Sequence, residues 1–393
     1  MTTNKILFKP NFLVLKFGKK TKDQLFYGLA SLVVVAIIVM LAANPKAYSS
    51  TTLQGLNLFV VAVLPGLLPF MFLTKVLTSL GMVKKLSARC SRVTNVLFGT
   101  PGISGYVMLM SMLSGYPIGA KLIADLYSQN AISKANAKRM ISFCTTSGPI
   151  FVIGSVGSIM FGSAKIGIVL YLAHIIGSIM CGIALNMLEK MGLAALPIKK
   201  HINKQNSKPQ LQSNKDNSLK PTAVAPQNQL KIATQTSTAS SNADSTKPTP
   251  ERLEKIIADS MTDSVSSILV VGAYIAIFFL FAQMLMDIGL LKGLASVLDK
   301  FFALFNITGV GNGVAGGLLE VTRGCSLLAK NTSIGSICLT CGVLSFSGLS
   351  IIMQSMNFLH RAGITTGYFV AIKIFNAIIS ALVCLPLCLA FGL

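Results

Sequence analysis

The sequence predicts an all-α polytopic membrane protein of two inverted repeats, each with three spans and a re-entrant or broken helix, plus one extra N-terminal span. Three observations carry that expectation. Of the 393 residues, 52% are hydrophobic and only 12% charged, with a mean hydropathy of +0.68; a soluble chain carries about a quarter charged residues. Several apolar runs exceed the ~18 residues that cross a bilayer core. Two of these segments are interrupted in similar ways: residues 111–121 read SMLSGYPIGAK and residues 320–330 read EVTRGCSLLAK. Each runs from a glycine through four residues to Ala-Lys, Gly115 to Ala120-Lys121 and Gly324 to Ala329-Lys330.

A membrane helix carries Gly-Tyr-Pro or Glu-Val-Thr-Arg-Gly in mid-span only where the backbone is buried in protein or lines a cavity. Interruptions at matching places in two halves point to a transporter-type binding site. The net charge of +22 does not imply a nucleic-acid partner. Lysine and arginine gather in the N-terminal tail, short loops and the central segment, as the positive-inside rule distributes them. There is no tryptophan, and no basic stripe with interleaved aromatics.

Residues 1–24 hold Lys5, Lys9, Lys16, Lys19, Lys20 and Lys22 against one acid, Asp23, and read as a cytoplasmic basic tail. Residues 25–43 are too long for a signal-peptide core and lack a convincing cleavage site, so they form the first transmembrane helix. The second span covers 53–80, where Pro65 and Pro69 kink or break it; Lys84, Lys85, Arg89 and Arg92 then mark a cytoplasmic loop. Residues 101–127 are apolar but interrupted, while 141–161 and 166–188 read as ordinary spans. Three full crossings would put the basic loop 134–139 and the lysine-rich segment after 189 outside. A re-entrant hairpin over 101–127, its tip at 115–119, places both in the cytoplasm. Residues 53–189 then form the first repeat.

Residues 190–250 change to Lys, Gln, Asn, Ser, Thr and Pro with few aliphatics. Such a segment cannot offset chain entropy by burial and is expected to be a disordered cytoplasmic linker. The second repeat spans 251–393. A helix starts after Pro250, a span covers 265–288, and an amphipathic stretch over 291–305 lies at the interface. A second interrupted segment over 309–330 follows, then spans over 334–358 and 364–393. Three crossings per half is an odd number, so the second copy must be inverted. A second anchor, SFCTTSG at 142–148 against LSFSG at 344–348, opens the span after each hairpin.

The stretches LPGLLPF, PGISGYVMLMSMLSGYPIGAK, SGPIFVIGSVG, GGLLEVTRG and SFSGLSIIMQS fall in the order seen in the YlbJ-type sporulation integral membrane proteins. The chain resembles that family over most of 55–190 and 255–390. The resemblance implies two Gate-like membrane repeats, the nucleoside-recognition Gate domain being shared with concentrative nucleoside transporters and ferrous-iron transport proteins. It also implies a bacterial plasma-membrane location and a role when spores mature; "nucleoside" is a domain label and names no ligand. The departure is in SFSGLSIIMQS, where the family pattern has glycine at Ser347 and histidine near Ile352.

The substrate-binding candidates come from the interruptions. Ser114, Gly115, Tyr116, Pro117, Gly119 and Lys121 belong to the first hairpin, and Glu320, Thr322 and Arg323 to the second. An acid inside a membrane segment costs about 2.5–3.5 kcal/mol and faces a pathway or a partner. Arg323 is a partner at i+3 spacing, so a self-neutralising structural pair stands beside the pathway reading. In the 111–121 echo, Glu320 answers to Ser111 and Arg323 to Ser114, and the two groups are expected to face Ser114–Gly119. Ser147, Gly148 and Pro149, and Ser347, Gly348 and Gln354, offer polar and freed backbone groups where helices break; close packing by small residues is the alternative. Lys121 and Lys330 read as snorkelling to the interface. Gly309, Gly313 and Gly317 read as small-residue packing, and His174 as a hydrogen-bonded core residue.

Of eight cysteines, seven lie in or beside apolar segments. The Cys338-Leu-Thr-Cys341 spacing lacks a second pair or a nearby histidine and reads as packing. No cofactor, metal cluster, catalytic dyad or phosphate loop is expected, and no enzyme. The expected partners are the bilayer and a small polar solute, nucleoside-like or other; a non-transporting scaffold in spore assembly is the alternative. A cavity joining both hairpins favours transport, whereas a sealed core with Glu320 tied to Arg323 favours the scaffold.

Overall fold

The computed structural model describes residues 19–80, 82–192 and 250–393. Most of the expected basic tail and nearly all of the expected linker therefore lie outside the described residues. Among those described, all regular structure is helical. Five segments are long and apolar enough to cross a membrane: Pro45–Ser79, Ala164–Lys190, Glu251–Asp287, Ile334–Ala362 and Thr366–Ala390. A sixth is completed if Ser87–Phe98 and Ile103–Ser114, bent by 93°, count together. The protein is a multi-pass membrane protein.

α1 (Lys19–Ala43) and α2 (Pro45–Leu58) lead into a π-helical turn, Phe59–Val63, and α3 (Leu64–Ser79). The span thus starts earlier than expected, and its irregularity sits just before Pro65. A proline removes one ladder donor, so the chain widens for a turn. The Ala62 carbonyl within this turn accepts a hydrogen bond from the Ser155 hydroxyl. α4 (Met82–Phe98) meets α5 (Ile103–Ser114) near a right angle, with Gly102 and Gly105 seated on Ser87, Ser91 and Cys90.

α5 and α6 (Tyr116–Ser128) form the first hairpin. The chain turns at Gly115, whose φ of +89 only glycine adopts freely. Ser111 and Gly119 would stand about 12 Å apart in a continuous helix at 1.5 Å per residue. Here a methyl on Gly119 would lie 2.8 Å from the Ser111 hydroxyl, so α6 folds back along α5. After α7 (Lys134–Met140) the chain leaves regular structure, then forms a π-helix over Ile150–Met160 and α8 (Ala164–Lys190). The expected ordinary span over 141–161 is thus corrected to a broken one. Pro149 explains it: the residue before a proline is pushed out of the α region, and 145–148 stay irregular.

α9 (Pro250–Asp287) and α10 (Leu290–Ala303) precede the second hairpin, α11 (Gly311–Leu319) and α12 (Val321–Leu328). α10 keeps Leu291 and Ala295 inside and leaves Leu294, Val297 and Phe301 outside with Lys292 and Lys300, so its exposed side carries apolar as well as charged residues. The second turn falls at Glu320, and Gly313 and Gly317 pack on Leu328 and Gly324 across the hairpin. Gly309 does not pack; it has open space and a φ of +72, so it serves a turn. α13 (Ile334–Phe346), α14 (Gly348–Leu359) and α15 (Thr366–Ala390) complete the chain.

Turn position also corrects the register of the echo. Gly115 answers to Glu320 as the turn, and Gly119 to Gly324 as the close-packing glycine; Ser111 and Ser114 are not the counterparts of Glu320 and Arg323. The two hairpins enter different cores. Val107, Met110 and Ile123 of the first pack with Met356, Leu359 and Phe369 from α14 and α15. Val321, Cys325 and Leu328 of the second pack with Val152, Val156 and Leu170 from the first half. Each hairpin is held by spans of the other half.

Between α13 and α14, Ser347 sits at φ +79, a left-handed conformation costing an L-residue about 1–2 kcal/mol. This is the position where the resemblance drawn from the sequence implies glycine. Ser347→Gly is expected to raise stability by ~1 kcal/mol, after glycine's entropy loss is subtracted, seen as a higher thermal midpoint in detergent. A lower midpoint would show that the Ser347 hydroxyl, 3.5 Å from the Ser345 carbonyl, outweighs the backbone strain.

Candidate functional site

Breaking a helix inside a membrane strands backbone groups, each costing several kcal/mol if left unpaired. Side chains from elsewhere in the fold satisfy them. The Ser347 break removes the donor that would reach the Leu344 carbonyl, and Tyr116 of the first hairpin donates its hydroxyl there at 2.6 Å. In the irregular stretch 145–148, the Thr146 N–H donates to Ser111 Oγ at 3.0 Å. The Ser147 N–H donates to His174 Nε2 at 2.9 Å. His174 Nε2 being an acceptor, Nδ1 carries the proton and donates to Ser345 Oγ at 2.7 Å. His174 is a satisfied core residue, as expected, and it ties the break of one half to that of the other.

Lys373 completes this set and was not anticipated. It is 1% exposed in mid-α15, donates from Nζ to the Thr145 carbonyl at 2.6 Å, and lies 5.2 Å from the Tyr116 ring centre and 5.6 Å from that of Phe369. The ion pairs among the described residues are Lys75–Asp263 and Arg139–Glu189, so no carboxylate pairs with it. A lone lysine inside the run YFVAIKIFNAII was the available signal. Asn376, one turn on, bonds Ser178 and Ser380.

Each hairpin tip rests on a glycine of the following break. A methyl on Gly148 would lie 3.1 Å from the Leu113 carbonyl and 3.6 Å from the Gly115 nitrogen. On Gly348 it would lie 3.0 Å from both the Gly317 carbonyl and the Val321 nitrogen. Between the tips lies a cavity of about 60 Å³, room for a few waters at ~10–15 Å³ each. Most of its lining is apolar, but both halves contribute polar groups: Tyr116 and Ser147 from the first, beside the turn residues Gly115, Pro117 and Gly148, and Glu320, Thr322 and Gln354 from the second. Val63, Gly66, Val271 and Ile275 close it on the apolar side.

Glu320 is fully buried and caps its own helix. One carboxylate oxygen accepts from the Arg323 N–H at 2.7 Å and the other from the Thr322 hydroxyl at 3.0 Å. The expected side-chain pair with Arg323 does not form. Glu320 sits in an extended conformation (φ −139°, ψ 115°) at the turn, and the guanidinium points away, to Gln283 Oε1 at 3.1 Å and over the Phe279 ring. Gln354 is 3% exposed; its Nε2 donates to Ser350 Oγ at 3.3 Å, while Oε1 has no partner among the described residues.

The other candidates stand outside the lining. Ser114 bonds the Thr74 hydroxyl, Gly119 is pressed on the Cys144 carbonyl, and Pro149 begins the π-helix. Ser347 and Gly348 form the break behind the second tip, and Arg323 reaches α9. Lys121 is partly exposed.

No family model matches the chain. The sporulation integral membrane protein YlbJ of Bacillus subtilis (strain 168) is 27% identical over 342 residues, covering 86% of this chain and 77% of that protein. The chain is similar to YlbJ along most of its length. Among solved structures, CNTnw in its intermediate 3 state is similar at 12% identity, with a TM-score of 0.48 over 95% of this chain and 88% of that one. The similarity to YlbJ runs through both membrane halves, since 342 residues exceed either half alone.

Proposed function

We propose that this protein binds and translocates a small polar solute at the cavity between its two hairpin tips, in the plasma membrane of a sporulating bacterium, and that this serves spore maturation as the name of its relative suggests. The observation that carries the reading is Gln354: a buried amide oxygen without a partner among the described residues, at a cavity to which both halves contribute. Leaving a buried acceptor unpaired costs about 1–3 kcal/mol, and a donor in the cavity, water or a solute that displaces it, removes that cost. Beside it, the N-termini of α6 and the π-helix bring partial positive charge, while the carboxylate of Glu320 caps α12. A solute with a donor for Gln354 and an acceptor for those N-termini fits this arrangement.

Two further features support transport over a scaffold. Glu320 forms no ion pair with the Arg323 side chain, and a cavity of about 60 Å³ lies between the hairpin tips. In this reading the halves are inverted Gate-like repeats. The support is a shared pattern: hairpin, then a span broken at a glycine that seats the hairpin tip. Thermal-shift screening of the purified protein against nucleosides, amino acids and sugar precursors is expected to find a stabilising solute. At a ligand concentration 100 times Kd, binding adds about 2.7 kcal/mol. Gln354→Leu is expected to keep the unliganded midpoint within ~1 kcal/mol of the parent, because the orphan acceptor goes with the amide, and to lose the shift. A stabilising solute that shifts Gln354→Leu equally would place binding elsewhere.

A further inference from the structure

The CLTC spacing of α13 acquires in three dimensions the second pair that the sequence did not link to it. α15 carries CLPLC, and Cys338, Cys384 and Cys388 bring their sulfurs within 4.8 Å of one another. Cys384 and Cys388 are four residues apart, hence on one helical face, and their sulfurs are 3.8 Å apart. Three thiolates around one ion at ~2.3 Å stand about 4 Å from each other by simple trigonal geometry. One edge of that triangle is already formed, and small rotamer changes close the other two.

These thiols also differ from their buried neighbours in what they face. Cys144 turns to the Ser104 carbonyl at 3.6 Å and Cys341 to the Ser380 carbonyl at 3.4 Å, the usual resting place of a thiol inside a helix bundle. Cys384 and Cys388 turn to each other. We propose that Cys338, Cys384 and Cys388 bind one soft d10 cation, of the Cu(I) or Zn(II) class. An all-sulfur donor set selects such ions over Mg²⁺, Ca²⁺ or Mn²⁺. Access follows from position. Cys338 lies one turn inside the Ile334 start of α13 and is partly exposed, and Cys388 lies two residues before the Ala390 end of α15. An ion therefore reaches the site from the surface at those helix ends. Once bound, it clamps α13, the first part of the span broken at Ser347, to α15, which carries Lys373. The site is independent of the solute cavity.

The test is titration of the reduced, full-length protein in detergent with Cd²⁺, a d10 probe whose thiolate charge-transfer absorption reports sulfur ligation. One equivalent is expected to saturate the band and to protect Cys338 from maleimide alkylation, with a chelator restoring reactivity. Cys338→Ser and Cys384→Ser are each expected to weaken binding by at least the ~10–100-fold seen when a metal site loses a supporting group. Cys90→Ser and Cys144→Ser are expected to leave it unchanged. Absence of a saturable band, or the same band in Cys384→Ser, would show that these are packing thiols only. If a serine variant elutes aggregated, protection of Cys338 in the parent decides: full alkylation in the presence of Cd²⁺ overturns the proposal.

Discussion

Gly119→Ala is expected to collapse the folded yield of the protein, although it adds a single methyl group. That methyl would lie 1.8 Å from the Cys144 carbonyl oxygen and 2.8 Å from the Ser111 hydroxyl. Overpacking typically costs about 1–3 kcal/mol when side chains can yield. Here the obstacle is backbone in the irregular segment that Lys373, His174 and Ser111 hold in place, so the cost is expected at or above ~3 kcal/mol. Gly324→Ala is its counterpart in the second hairpin, with the Gly317 Cα 2.3 Å from the added methyl. Gly28→Ala is the control: nothing lies within 4 Å of it, and alanine is favoured over glycine in a helix by up to ~1 kcal/mol. Size-exclusion yield and thermal midpoint of the three variants decide the matter. A Gly119→Ala protein with the parent's midpoint would mean that the first hairpin does not pack on the 144–148 segment as described.

The two hairpins were legible in the sequence because a turn inside a membrane needs residues that a plain span avoids, and Gly115-Tyr116-Pro117 and Glu320-Val321-Thr322 stand out against their apolar flanks. Their register was not legible. Glycine does two jobs in SGYPIGAK: Gly115 turns the chain at positive φ, and Gly119 lets two backbones meet. EVTRGCSLLAK has only Gly324, which does the second job, while Glu320 makes the turn as an N-cap. Matching strings pairs Gly115 with Gly324; matching conformations pairs Gly119 with Gly324. The segment 141–161 misled for a similar reason. Its apolar content suits a span, yet one residue, Pro149, decides that the chain before it is not helical. Cys384 and Cys388 were invisible as partners of Cys338 because the contact between α13 and α15 is set by tertiary packing, which spacing along the chain does not encode.

Lys373→Met is expected to leave the protein folded and to abolish its function. Two terms oppose each other in stability. Removing the ammonium relieves the burial of a charge with no carboxylate partner, a cost of about 2.5–3.5 kcal/mol on insertion scales. It also strands the Thr145 carbonyl, which costs about 1–3 kcal/mol as an unpaired buried acceptor. The methionine fills most of the vacated volume, so the midpoint is expected within ~1–2 kcal/mol of the parent. Lys373→Ala adds a cavity between Tyr116 and Phe369, at about 2–5 kcal/mol, and is expected not to fold. Function is another matter. Lys373 holds, through the Thr145 carbonyl, the broken segment whose Ser147 and Gly148 line the proposed cavity, and methionine supplies no donor there. Solute-induced stabilisation and rescue of a null strain should both be lost in Lys373→Met, while the unliganded midpoint is kept. A Lys373→Met protein that binds solute and rescues at the parent's level would show that the lysine amine has no part in the mechanism.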